Sequence, residues 1–252
     1  VLQESIVKAS TIDQIHELIR YNYREFDANH VAQLFVSIDN IVRYSSTNPD
    51  TIRYEILGSK EFEILANRTL KVVRHLEASD ALNTMIVLDD LGISNDTLLK
   101  QALMQMVRGW INDYSIDDLY RLTRFLKQYD SDKNSLLQAL HLALPYALKH
   151  RIQYKELDFF HARTLMKCIE MIAHFGVDIF GDLDLVQKCL HYLHRQMDYI
   201  GPREWLNILA SIYEMNIRND EASLITGTIR SLIHDCVERI RGCNSEILED
   251  LP

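Results

Sequence analysis

Breakers of helix are scarce in this chain: 8 glycines and 4 prolines stand among 252 residues. Together they make up about 5% of it, against an ordinary share near 12%. A sheet protein draws on those two residue types for its tight turns, so the shortage excludes an all-β chain and leaves an all-α one. Cysteine is rarer still. Cys168, Cys189, Cys236 and Cys243 show no CxxC spacing and lie within helical patterns, which reads as reduced, mostly buried thiols of a non-secreted protein. No apolar run approaches the ~18 residues that cross a bilayer, and no secretory or transit segment is visible. The sequence opens VLQES without a methionine, as expected of an internal piece of a longer protein.

Charge of one sign is not concentrated anywhere. The net charge is −9, with 13 basic and 18 acidic side chains in residues 1–126 and 14 and 18 in residues 127–252. Neither half is a basic module that would hold nucleic acid through bulk charge. Any such binding has to come from a local stripe.

What is present is a recurring junction. The segments LDDLGISNDTLL from Leu88, LKQYDSDKNSLL from Leu126, IAHFGVDIFGDLDLV from Ile172 and IYEMNIRNDEASLI from Ile212 each end one helical run and start another. In each an apolar residue is followed three positions later by another: Leu88/Leu91, Leu126/Tyr129, Ile172/Phe175 and Ile212/Met215. Gly92, Asp130, Gly176 or Asn216 comes next, and these residue types tolerate the left-handed conformation that ends a helix. The stops are 38, 46 and 40 residues apart, the spacing of helix-pair repeats. The expected fold is an α-solenoid, a right-handed superhelix of antiparallel helix pairs with repeats of about 36–48 residues.

Helices are predicted over 11–23, 28–46, 59–77, 79–90, 96–113, 115–129, 134–150, 156–175, 183–199, 202–215 and 221–241. Thr11…Gln14 and Ser115…Asp118 resemble capping boxes, Ser79 starts a helix, and Gly201-Pro202 gives a stop followed by proline at the first helical position. Leu99, Leu103, Met106, Val107 and Trp110 recur at helical spacing, as do Val186, Leu190, Leu193 and Met197, each set forming one apolar face. The stretch SSTNPD, Ser45 to Asp50, reads as a linker. Residues 1–50 are then an N-terminal helical pair with its linker, and 51–252 an array of about five helix pairs.

The segment from KVVRHL (Lys71–Leu76) through Ser79-Asp-Ala-Leu82 to LDDLGI (Leu88–Ile93) and Asp96-Thr-Leu-Leu99 resembles the helical region of the FAST kinase-domain family. The match is best over 59–142. The resemblance implies a helical-repeat RNA-binding module of a mitochondrial protein acting in organellar RNA processing or stability. Nothing in the chain resembles the RAP domain found in that family. The family's name implies a kinase, and the residues do not. All eight glycines are isolated, no HRD-type loop is present, and Asp158-Phe159-Phe160 lacks the glycine of a DFG-type metal motif.

Other constellations read as structure. His191 and His194 lie at i and i+3 near Asp184 and Cys189, but a metal site needs two further ligands from another helix. Glu61/Glu63 and Asp117/Asp118 sit near helix starts, where carboxylates favour the dipole. Neither an enzyme nor a cofactor is expected. The arrangement of more interest is basic. Lys71, Arg74, Arg108, Lys149, Arg151, Arg195, Arg239 and Arg241 fall near the C-terminal ends of the longer helices. Arg121, Arg124 and Lys127 and then Arg163 and Lys167 stand opposite the apolar stripes of shorter ones. The helix dipole explains cations at C-terminal ends by itself. In a solenoid such ends also align along one edge, where single-stranded RNA would meet a cation at roughly 10 Å intervals. Lys71, Arg74, Arg108, Arg121, Arg124, Lys149, Arg151 and Arg195 are the candidate RNA contacts, with Tyr120 and Tyr154 as candidate stacking rings. The competing expectation, favoured by the even acidity, is a scaffold that docks a partner helix or the protein's own C-terminal domains.

Overall fold

The computed structural model describes residues 1–45, 48–129, 134–154, 160–218 and 227–243. Among them the chain is all α, without a strand. The order is α1 (Leu2–Lys8), α2 (Ile12–Asn22), α3 (Ala28–Tyr44), α4 (Pro49–Leu57), α5 (Lys60–Val72), α6 (Ala78–Asp90) and α7 (Leu98–Gly109). Then follow α8 (Ile116–Leu126), α9 (Ser135–Tyr154), α10 (Ala162–Phe175), α11 (Val177–Phe180), α12 (Leu183–His194), α13 (Pro202–Arg218) and α14 (Gly227–Arg241). Short 3-10 turns extend α5 over Val73–His75 and α8 over Lys127–Tyr129. None of the described helices is long and apolar enough to cross a membrane.

The chain divides into two compact units, residues 1–114 with 128–140, and 115–127 with 141–252. In the first, α3 is the central helix. Val31, Leu34, Phe35, Ile38 and Val42 recur at three and four residues and are buried, so one face of α3 packs against α1, α2, α5 and α6. Burying each such side chain contributes about 1.5–3 kcal/mol. Residues 1–50 therefore share a packed unit with the helices that follow them, and the compact units do not part at residue 50. In the second unit α10 holds the centre, with Leu165, Met166, Cys168, Ile169, Met171 and Ile172 buried nearly all round. That is the pattern of a helix enclosed by neighbours, here α8, α12 and α13.

Within each unit, side-chain hydrogen bonds tie segments 40 to 50 residues apart. Arg20 to Glu61, Arg68 to the Phe26 carbonyl, Arg43 to Asp90 and Tyr129 to Asp89 span 41, 42, 47 and 40 residues. In the second unit Tyr120–Glu170, Lys167–Asp117, His194–Asp235 and Arg239–Asp198 span 50, 50, 41 and 41. One of these ties reaches the interior. The Lys100 side chain is fully buried and its Nζ donates to Asp89 Oδ1 at 2.5 Å and to the Ile93 carbonyl at 3.0 Å. Tyr129 donates its hydroxyl to the same Asp89 oxygen at 2.5 Å.

The junctions divide. At Gly92 (φ 84°) the Ile93 N–H bonds the Leu88 carbonyl and the Gly92 N–H bonds that of Asp89, the two bonds of a Schellman motif. Gly176 (φ 91°, ψ 145°) also ends its helix, in a backbone region that only glycine enters freely. The one-turn α11, absent from the sequence prediction, follows and closes on left-handed Gly181. Asn216 does not stop α13, which runs on to Arg218; asparagine tolerates a left-handed cap but does not impose one. Asp130 lies outside the described residues. Helix lengths do not alternate long and short, since α5 and α6 both have 13 residues.

Caps set several starts. Thr11 and Ser115 accept from the N–H groups of Gln14 and Asp118, and Pro202 opens α13. Ser79 caps nothing: α6 begins at Ala78. In the expected linker, Asn48 accepts from the Asp50 N–H and Pro49 opens α4. Helices α1 and α4 are therefore additions to the sequence prediction.

Candidate nucleic-acid interface

Of the eight candidate cations six are exposed and two half-buried. Lys71 stands in the last turn of α5, Arg74 in the 3-10 turn after it, and Arg108 in the last turn of α7. All three are exposed and, among the described residues, make no ion pair. Arg195, exposed at the C-cap of α12, lies over the Tyr192 ring at 5.9 Å. Arg124 is exposed on α8, and Arg121 beside it reaches Asp118 only at 4.0 Å.

Lys149 and Arg151 are placed differently from the sequence prediction. Helix α9 continues to Tyr154, so Lys149 sits more than a turn before its end. It is half-buried, 3.6 Å from Asp182 and donating to the Gly181 carbonyl at 3.4 Å. Arg151 is half-buried as well. Arg239 pairs with Asp198 at 2.5 Å, Arg241 with Glu238 at 2.9 Å and Lys167 with Asp117 at 2.6 Å. A cation already matched to a carboxylate has little field left for a phosphate, so these contribute less than the sequence count implies. Arg163 and Lys127 remain exposed.

Aromatic partners are more plentiful than the linear pattern showed. Lys167 lies over the Tyr120 ring at 5.7 Å, and Tyr120 donates its hydroxyl to Glu170 at 2.5 Å. Burial, then the bond to Glu170, pushes the Tyr120 hydroxyl up to about 12. Its polar end is thereby engaged, and the ring is only half-exposed. The Tyr154 side chain lies outside the described residues. The free aromatic surface is elsewhere: Tyr21, Tyr44, Tyr54, Tyr146, Tyr199 and Tyr213 each expose more than two thirds of their area. No sequence signal marked them, because tyrosine on the outer face of a helix and tyrosine in the core share the same neighbours in a list of residues.

The titratable groups are largely absorbed in packing. Glu61 is held below the usual carboxylate range by the hydrogen bond from Arg20, and Asp117 is paired with Lys167. His194 Nε2 lies 2.7 Å from Asp235, and His191 is exposed on the previous turn. Burial pushes the Cys168 thiol well up, Cys189 to about 12 and Cys236 to about 11, so these three stay protonated at neutral pH and are poor nucleophiles. Among the described residues no three His, Cys, Asp or Glu side chains converge as a metal site would require. Compared with protein families, with curated proteins and with solved structures, the chain matches none of them.

Proposed function

We propose that this chain is a non-enzymatic helical-repeat module of the α-solenoid type that binds single-stranded RNA. In keeping with the resemblance to the FAST kinase-domain family, it would act in processing or stabilising mitochondrial transcripts. The repeat reading is supported by cross-helix hydrogen bonds at 40 to 47 residues in the first unit and at 41 in the second, close to the spacing of the junctions. The observation that carries the RNA reading is the set of exposed, unneutralised cations at helix ends, Lys71, Arg74, Arg108 and Arg195, on a chain whose surface also exposes tyrosine rings. Cations that meet phosphates and rings on which bases stack are the two components of sequence-tolerant single-strand binding.

The test is binding of a fluorescent single-stranded RNA by anisotropy, for the unaltered chain and for R74E/R108E/R195E. Lys149 is left alone, because a glutamate there would face Asp182 and disturb folding. Binding that weakens steeply with salt, and falls about tenfold or more in the triple variant, supports the reading. Equal affinity in the variant rejects the role of the helix ends. The scaffold alternative rests on the net charge of −9 and on exposed apolar residues such as Leu98, Leu142 and Ile179. An intact chain that binds no RNA at moderate salt leaves that alternative standing.

A further inference from the structure

In the first unit several cations of the helical body meet carboxylates. Arg20 pairs with Glu61, Arg43 with Asp39 and Asp90, Arg53 with Asp50 and Lys100 with Asp89. Three others gather in one place without one. Where α2 ends beside α5, a groove of about 390 Å³ is lined by Tyr23, Arg24, Ile64, Asn67, Arg68 and Lys71, with no carboxylate among them. Its two guanidinium groups are fixed by uncharged oxygens. Arg24 Nε donates to the Tyr23 hydroxyl at 3.1 Å, and Arg68 Nε donates to the Phe26 carbonyl at 2.6 Å. Lys71 adds a third charge without an ion pair among the described residues.

A guanidinium anchored through Nε by a neutral acceptor keeps its full charge and leaves its terminal nitrogens to bond elsewhere. Being already ordered, it loses less freedom when a ligand arrives. Three such charges round one concavity attract an anion with several oxygens, and guanidinium geometry matches phosphate. The helix dipole does not account for the set, because Arg68 lies before the last turn of α5. The groove volume is within the ~300–1,000 Å³ of small-ligand sites, Ile64 supplies an apolar wall and Asn67 a donor and acceptor.

We infer that this groove is a phosphodiester-binding subsite for a single-stranded nucleic acid, in which Arg24, Arg68 and Lys71 hold the backbone and Tyr23 positions Arg24. The inference rests on the RNA reading above and adds to it a defined entry point, of which Arg24 and Arg68 lie outside the basic set picked out in the sequence. Arg24 and Lys71 are exposed, so their replacement leaves the core intact.

The experiment titrates the full chain against a fluorescein-labelled oligouridylate of about ten nucleotides, from about 50 to 200 mM salt. R24Q/K71Q is expected to bind about tenfold or more weakly, with a salt slope shallower by about 1.4, the value for two lost contacts on a single strand. Y23F keeps the ring but frees Arg24, and a loss of about twofold to fivefold is expected. R43Q/R53Q removes the same charge from paired positions and should stay within about twofold. Circular dichroism and urea midpoints confirm that all variants are folded. If R24Q/K71Q binds like the unaltered chain, or R43Q/R53Q loses as much, the subsite is rejected while the RNA reading stands. An oligoglutamate of equal charge that competes as well as the RNA also rejects it, in favour of an acidic peptide. No RNA binding by the unaltered chain removes both.

Discussion

Replacing Lys100 with methionine tests how the first unit is held together. The substitution keeps the length of a fully buried side chain and removes only its ammonium. Asp89, whose side chain is 7% exposed, would be left with the Tyr129 hydroxyl as a neutral donor, and the Ile93 carbonyl would lose its bond from Nζ. Breaking a buried pair by removing one partner costs about 3–5 kcal/mol, because the remaining charge is stranded. At about 2–4 °C per kcal/mol for a chain of this size, the melting temperature should fall by roughly 6–20 °C. Adding D89N removes the stranded charge, so K100M/D89N should be more stable than K100M alone, with a coupling energy of about 2 kcal/mol or more. Urea unfolding read by Trp110 fluorescence in a W205F background isolates the unit concerned, since Trp110 belongs to the first unit and Trp205 to the second. A K100M midpoint equivalent to less than about 0.5 kcal/mol, a typical surface effect, would refute the reasoning.

At Gly92 an added Cβ meets no atom within 4 Å, yet φ is +84°, so G92A should destabilise by about 1–2 kcal/mol on conformation alone. G109A, equally open but with ordinary φ at the end of α7, should be neutral or slightly stabilising in the same urea assay. Tyr120 titrates near 12 against an ordinary 10.0, so the folded state favours the protonated hydroxyl. The stability it contributes is complete below pH 10 and is lost as pH rises towards 12. Unaltered chain and Y120F should therefore converge in thermal stability across that window, and a constant gap between them would refute the upward shift of Tyr120.

Long amphipathic helices were legible because α3, α5, α7 and α12 each carry one apolar stripe over three or more turns. Helix α1 was not, since a helix of 7 residues with the single buried side chain Ile6 has no measurable period. Helix α4 did announce itself, through Asn48 before Pro49 and an acid in its first turn, but those polar residues also compose a linker. Gly92 and Gly176 could be read as stops because their backbone angles require glycine, whereas Asn216 had no such requirement to meet. For the candidate interface, the basic residues were visible and their neutralisation was not. Lys167 meets Asp117 from 50 residues away, and Arg239 meets Asp198 from 41. Only packing decides which carboxylate a cation finds. The same blindness hid Arg24 and Arg68, whose distinction is having a neutral partner.

The two units are interleaved along the chain, residues 128–140 completing the first after 115–127 have begun the second, and this has a consequence for synthesis on the ribosome. Chains emerge at roughly 5–20 residues per second and domains tend to fold as they are completed. When residue 114 has emerged, Asp89 and Lys100 are both available, but Tyr129 has yet to be made. A nascent chain must therefore hold its nearly finished first unit while the opening helix of the second, with its leucines and isoleucine still uncovered, waits for α10. Nor can one uninterrupted stretch carry either unit to another gene without part of the other. Each unit is thus completed only by chain that follows part of its neighbour.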